Sequence, residues 1–241
     1  MKKIIYSFII LLSFVWLVAC DDVNSMHDKY LVNGEDFLVG KLDSIKMYGG
    51  DQRAKLVVWD GDFRATKFLV MRTDTTLKYS FNLNPDNRKD SMVFHIDKLK
   101  EGTNNLQMYT LNSDSTVHSI VMNKTVTVWG NKYRNFLKNR TIVSAKFNLL
   151  TKAFTITWDA NNAVEPVLGK PAIGHEIKYL NTDGTQVIIK DVYTSQSSPS
   201  INTVLPKFPT TGGTYSYRMM YLPAATCIDT FRTAYVNVTL P

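Results

Sequence analysis

Short runs in which apolar and polar residues alternate recur from residue 43 to residue 240, and a helical period of 3.6 is almost absent. The clearest run is Phe154-Thr155-Ile156-Thr157-Trp158. Phe154, Ile156 and Trp158 fall on one face and the two threonines on the other, which predicts a half-buried strand. Upstream, residues 55–60 end in the same Trp-Asp pair, with Val57 and Trp59 on a face that also receives Lys55. Extended runs precede each of these (43–48 and 142–147) and follow them (67–71 and 175–180). Asn181-Thr182-Asp183-Gly184 then predicts a tight hairpin turn, because glycine takes a positive φ without steric penalty. Residues 103–111 align with 214–222, and each copy closes on a β-rich run, 125–129 and 234–240. One pattern of about 100 residues therefore occurs twice. It predicts an all-β chain of two tandem sandwiches, each of about seven strands, with Trp59 in the first core and Trp158 in the second.

The N-terminus breaks this pattern. Lys2 and Lys3 precede an apolar run over residues 4–18, followed by Ala19 and Cys20, the layout of an export signal. The run has about 15 apolar residues, short of the ~20 that span a bilayer. An uncleaved membrane helix and an ordinary secretory signal with an incidental Cys20 are the alternatives. The cysteine at the cleavage point resembles a bacterial lipoprotein signal, which implies lipidation at Cys20. Acyl chains there would hold the protein to membrane lipid, each buried methylene contributing about 0.8 kcal/mol. The expected organisation is a signal peptide (1–19), a polar tether (20–39), a first sandwich (40–131), a linker (132–140) and a second sandwich (141–241).

The two copies resemble fibronectin type III domains. The first carries Trp59 on its second strand, then Phe94-His95-Ile96 and a loop with Leu99 and Gly102-Thr103 leading into Leu106-Gln107-Met108-Tyr109. The second keeps Trp158, Tyr215 and Tyr217, with a longer, divergent loop from Leu205 to Gly213. The resemblance covers nearly all of residues 41–241 and implies immunoglobulin-like sandwiches. With the lipid signal and tether, the chain resembles the Bacteroidota-type lipoproteins of unknown function that accompany glycan-uptake systems in the outer membrane.

Charge and cysteines narrow the possibilities. Loss of Lys2 and Lys3 with the signal takes the formal charge from +7 to +5, spread along the chain. The densest basic cluster, Lys132, Arg134, Lys138 and Arg140, reads as a solvated linker, so no nucleic-acid partner is expected. Cys227 is the only cysteine besides Cys20, so the cores must hold by burial without an intrachain disulfide. It reads as a buried or edge thiol rather than a nucleophile.

No nucleophile, phosphate-loop or dinucleotide motif is present. His27, His95, His118 and His175 stand singly, without metal-ligand spacing. Asp60-Gly61-Asp62 reads as a polar turn before a calcium site. No catalytic residue, metal or cofactor is therefore expected. Two stretches of the second copy exceed what a hairpin needs: 160–174, and 193–199 with 206–209 beyond it. If exposed, Tyr193 or Phe208 there would suit stacking on a sugar; the plainer reading is loops that cover the core. Asp43-Ser44-Ile45, Asp74-Thr75-Thr76, Asp90-Ser91-Met92 and Asp114-Ser115-Thr116 also resemble Asp-Ser/Thr O-glycosylation sites.

The expectation is a non-catalytic lipoprotein anchored to the bacterial outer membrane, on the cell surface or the periplasmic face. It would bind a glycan or another cell-surface component, or act as a spacer or accessory subunit of an envelope assembly. An exposed aromatic platform favours the first, and a flat Lys/Thr face with one apolar patch favours the second.

Overall fold

The computed structural model describes residues 38–74, 77–83, 91–150, 153–159, 172–193 and 201–240. Val39 onward forms one compact unit. Strands β1 (Ser44–Gly49), β2 (Ala54–Trp59), β3 (Lys67–Arg72), β4 (Lys78–Asn82), β5 (Met92–Ile96), β6 (Gly102–Leu111) and β7 (Met122–Val128) make two antiparallel sheets, ordered β1-β2-β5 and β4-β3-β6-β7. Leu56, Val58 and Ile96 of the first sheet and Phe68, Val70, Leu106, Met108 and Val126 of the second share one core. This three-on-four arrangement is the fibronectin III-like, immunoglobulin-like sandwich expected.

The pattern repeats. Strands β8 (Ile142–Asn148), β9 (Ala153–Trp158) and β12 (Asn202–Leu205) form one sheet. The other holds β10 (Ala172–Leu180), β11 (Gln186–Val192) and β13 (Thr214–Tyr221), the last flanked by β14 (Phe231–Arg232) and β15 (Val236–Thr239) as two pieces of a seventh strand. Phe154, Ile156, Trp158, Ile177, Tyr179, Leu205, Phe208, Tyr215 and Tyr217 fill this core. The turn after β10 forms as its sequence requires. Gly184 has φ +76°, and the Asn181 side chain accepts the N–H groups of Asp183 (3.0 Å) and Thr185 (2.9 Å).

Trp59 departs from expectation. In β9 the inward residues are Phe154, Ile156 and Trp158, but in β2 they are Ala54, Leu56 and Val58. A shift of one residue exchanges the faces of a strand, so Trp59 lies on the outer surface, half-buried, and contributes nothing to the first core. The Trp-Asp pairs at 59–60 and 158–159 match in sequence and not in facing.

The segment between the sandwiches is folded. Asn131–Phe136 forms one short helix, α1. It has no side-chain cap of its own; Glu101 supplies one from the β5–β6 corner, accepting the N–H groups of Lys132 and Tyr133 at 2.7 Å each. Lys132, Arg134 and Lys138 are exposed, but Arg140 is only 2% exposed, contrary to the picture of a wholly solvated basic cluster. Tyr133 packs edge-on against Phe231. The β13–β14 connection meets the β1–β2 turn, where Ile228 donates its N–H to the Gly49 carbonyl (3.0 Å). A Cβ on Gly50 would lie 2.6 Å from Ile228 Cγ1, so the approach needs glycine there. The Asp229 carboxylate accepts the Asp51 N–H (2.8 Å) and the Arg53 guanidinium, whose hydrogen bond holds it below its ordinary pKa. Arg134 in turn pairs with Asp51 and lies over Phe231.

Candidate binding surface

The misplaced tryptophan defines the surface. Pairing of β1 with β2 sets Ser44 opposite Trp59, Lys46 opposite Val57 and Tyr48 opposite Lys55. Pairing of β2 with β5 sets Val93 opposite Val57 and His95 opposite Lys55. Ile45, Met47 and Phe94 pack toward the core, so by alternation these eight residues share the outer face. Trp59, Val57 and Tyr48 are half-buried, Val93 is 47% exposed, and Lys46 and His95 are exposed. Lys46 Nζ lies 5.4 Å from the centroid of the Trp59 ring, within range of a cation–π contact. Neither Lys46 nor Lys55 has an ion-pair partner among the described residues. The face combines two aromatic rings, two aliphatic side chains and two free ammonium groups, and no carboxylate occupies its outward positions.

The equivalent face of the second sandwich is different. Its rows are Ser144–Thr157–Asn202 and Lys146–Thr155–Val204. Thr157 donates to Asn202 at 2.9 Å, and a shallow groove of ≈ 620 Å³ runs beside Phe147, Leu149 and Leu150. Among the described residues no aromatic side chain stands in those outward rows. On the opposite sheet the charges satisfy one another: buried Glu176 receives Arg218 (2.6 Å), Lys190 (3.7 Å) and the Tyr235 hydroxyl. Burial alone would raise the Glu176 pKa, yet the Tyr235 and Arg218 hydrogen bonds outweigh it and lower it.

Neither aromatic residue singled out in the second copy is a platform. Phe208 is 3% exposed and stacks on Phe154 with centroids 4.5 Å apart. Tyr193 is half-buried, with its hydroxyl 2.7 Å from His175 Nδ1. Residues 160–171 and 194–200 of the two long stretches lie outside the described residues, as do Cys20 and His27.

The remaining chemistry is structural. His175 is fully buried, and its Nε2 sits 3.3 Å from Thr203 Oγ1, which accepts the Trp158 indole N–H at 2.9 Å. Arg140 lies 5.4 Å from the Trp158 centroid and donates to the Tyr193 hydroxyl at 3.5 Å. These residues come from positions 140, 158, 175, 193 and 203, a separation that hides the network from any local reading of the sequence. His118 is exposed beside Tyr109. Asp62 is held down to about 2, chiefly by the Arg64 side chain, so the Asp60-Gly61-Asp62 turn commits that carboxylate to arginine. Among the described residues no cluster of three metal-ligating side chains occurs. The Cys227 thiol is half-buried, its pKa raised by burial. Ser44, Ser91 and Ser115 are exposed, while Thr75, Thr76 and Asp90 lie outside the described residues. Among the described residues no helix is long and apolar enough to cross a membrane.

No curated protein matches the chain. Similar solved structures include the FN1–FN3 domains of chicken CNTN1, 10% identical, covering 86% of this chain and 69% of that one with a TM-score of 0.44. The fibronectin(III)-like modules of Clostridium thermocellum CbhA are 13% identical over 81% of this chain and 92% of theirs, TM-score 0.41. A two-domain fibronectin type III segment of chicken tenascin is 11% identical over 83% and 98%, TM-score 0.29. A family model described as a domain of unknown function matches residues 20–231, from ahead of the first sandwich to the start of β14, and the chain belongs to this family, DUF4998.

Proposed function

We propose that this protein is a non-catalytic binding module, anchored to the outer membrane through acylated Cys20, that engages a glycan or another cell-surface component. The observation that carries the reading is the half-buried Trp59 on the outer face of β1-β2-β5, with Val57 next to it and Val93 and Tyr48 farther along the same face. A large ring kept in partial contact with water, where a threonine would serve the sheet as well, is an amphipathic contact surface of the kind binding sites use. The layout of residues 2–20, two lysines, an apolar run and a cysteine after a small residue, supports a mature chain that starts at a lipidated Cys20. The folded joint supports a module that holds this face at a fixed attitude to the second sandwich. A spacer or accessory role is the second reading, favoured by the Thr155/Thr157 face with Leu149 and Leu150 exposed beside it.

The test uses the chain from Asp21 to Pro241 on a panel of immobilised glycans, with Trp59→Ala alongside. The wild type is expected to be retained by at least one glycan class, and the variant to lose that retention by 10-fold or more with an unchanged melting midpoint. Retention equal in both forms rejects the Trp59 face, and retention of neither transfers the case to the spacer reading. In cells, Cys20→Ala is expected to abolish labelling by an alkyne fatty acid. Protease treatment of intact cells then reports which membrane face the protein occupies.

A further inference from the structure

We infer that the ligand taken by the Trp59 face is a carboxylate-bearing saccharide; the inference rests on the binding reading above and narrows it. Sugars present two chemistries, apolar C–H faces and hydroxyls, and a uronic acid adds a fixed negative charge. The β1-β2-β5 face offers a partner to each. Trp59 and Tyr48 supply ring faces, Val57 and Val93 extend the apolar strip, and Ser44 and His95 bring polar groups at its margins. Among the described strand residues of this face the charged ones are Lys46 and Lys55, both cationic.

Their placement matters more than their number. Lys46 stands over the Trp59 ring, 5.4 Å from its centroid, so a ring stacking on Trp59 must displace this ammonium or pair with it. A neutral sugar that displaces it forfeits the cation–π contact, whereas a carboxylated one replaces that contact with an ion pair. Lys55 lies four residues from Trp59 along the same strand, about 13 Å at strand rise. That span holds a short oligosaccharide with one end on the indole and the other at the second lysine. Among the described residues no carboxylate neutralises either lysine, unlike Arg53, Arg64, Arg134 and Arg218, each of which is paired. Among the described residues, the corresponding rows of the second sandwich hold one lysine, Lys146, with Thr155, Thr157 and Val204 and no outward aromatic ring, so among them the combination is found in the first sandwich.

The experiment is isothermal titration of the 21–241 chain at low and moderate salt with three probes: tri-galacturonic acid, neutral maltotriose and a penta-glutamate peptide. Tri-galacturonic acid is expected to bind at least 10-fold more tightly than maltotriose and to weaken as salt rises. Lys46→Gln with Lys55→Gln should reduce its affinity by 10-fold or more while binding maltotriose no less tightly. Trp59→Ala should remove binding of both sugars. Equal affinity for the two sugars, unchanged by the lysine substitutions, overturns the acidic-ligand inference while the Trp59 binding reading survives. Penta-glutamate binding as tightly as tri-galacturonic acid, and no less tightly to the Trp59→Ala chain, also overturns it, because charge alone then accounts for the affinity. Absence of binding by every probe overturns it as well, and the glycan panel then decides separately whether the face binds anything. Unchanged melting of each variant confirms that lost affinity is not lost fold.

Discussion

Replacing Trp158 by alanine is expected to destabilise the second sandwich by about 3–5 kcal/mol, the range for removing a buried aromatic side chain. The ring is 1% exposed and lies edge-on to Tyr217, with centroids 5.2 Å apart. Its loss leaves a cavity between β9 and the opposing sheet, bordered by Tyr217, His175 and Arg140, which a close-packed core fills only in part. Two further contacts disappear with it. Thr203 Oγ1 loses a donor at 2.9 Å, and the buried Arg140 guanidinium loses the π face it lies against. Both add to the effect, since each buried polar group is left with fewer favourable contacts. Urea unfolding of the 21–241 chain checks this, with a lowered midpoint expected at an unchanged slope. Trp59→Ala is the control. Lying on the outer face, it should shift stability by only about 1 kcal/mol or less. If the two tryptophans cost the same, their assignment to opposite faces is wrong.

Acid is expected to destabilise the same region before it affects most carboxylates. Burial pushes the His175 pKa from 6.5 down to about 4, and the positive charge of Arg140 acts in the same direction. Asp191, 3.8 Å from Nδ1, pulls the other way without prevailing. The imidazole is therefore neutral in the folded chain across the range where it protonates in the unfolded one. The unfolded state binds the extra proton, so stability rises with pH through this window. The contribution is complete above about pH 6.5 and is lost as pH falls toward 4. The difference between 6.5 unfolded and about 4 folded corresponds to roughly 3 kcal/mol. Unfolding free energies between pH 7 and pH 4 should show this slope, and the His175 imidazole should titrate near pH 4 by NMR in the folded protein. A normal titration near 6.5 would mean that the ring reaches water and that the Tyr193 and Thr203 contacts do not persist. The lowered carboxylates, among them Asp62 and Asp229, act in a separate window: their contributions are lost at more acidic pH, below the ordinary carboxylate range.

The contrast between the two tryptophans also shows where the sequence was sufficient. In β9 the threonines at 155 and 157 separate three large apolar residues, so only one face can be the core. In β2 the run Leu56-Val57-Val58 is apolar at three successive positions, and either face looks buriable. What decides is the small Ala54 at one end of the inner set and charged Lys55 at one end of the outer set. Lys55 was the signal that could have placed Trp59 outside, and the attraction of a second Trp-Asp pair masked it. The strand runs and the Asn181–Gly184 turn were legible because alternation and turn chemistry are local. The helix α1 was not, since its first turn is capped by Glu101, some 30 residues upstream. Likewise Arg140 looks like one more solvated base until the fold brings Trp158 and Tyr193 to it.

The most direct measurement is a titration of the 21–241 chain carrying ¹⁵N-labelled tryptophan, followed through its three indole N–H signals from Trp59, Trp129 and Trp158. Each signal is assigned by substituting one tryptophan with phenylalanine. On addition of tri-galacturonic acid, the Trp59 signal is expected to move in a saturable way. The Trp158 signal, whose N–H is held by Thr203 inside the core, should stay fixed. Movement of Trp158 or Trp129 with Trp59 still would contradict the assignment of the β1-β2-β5 face as the binding surface.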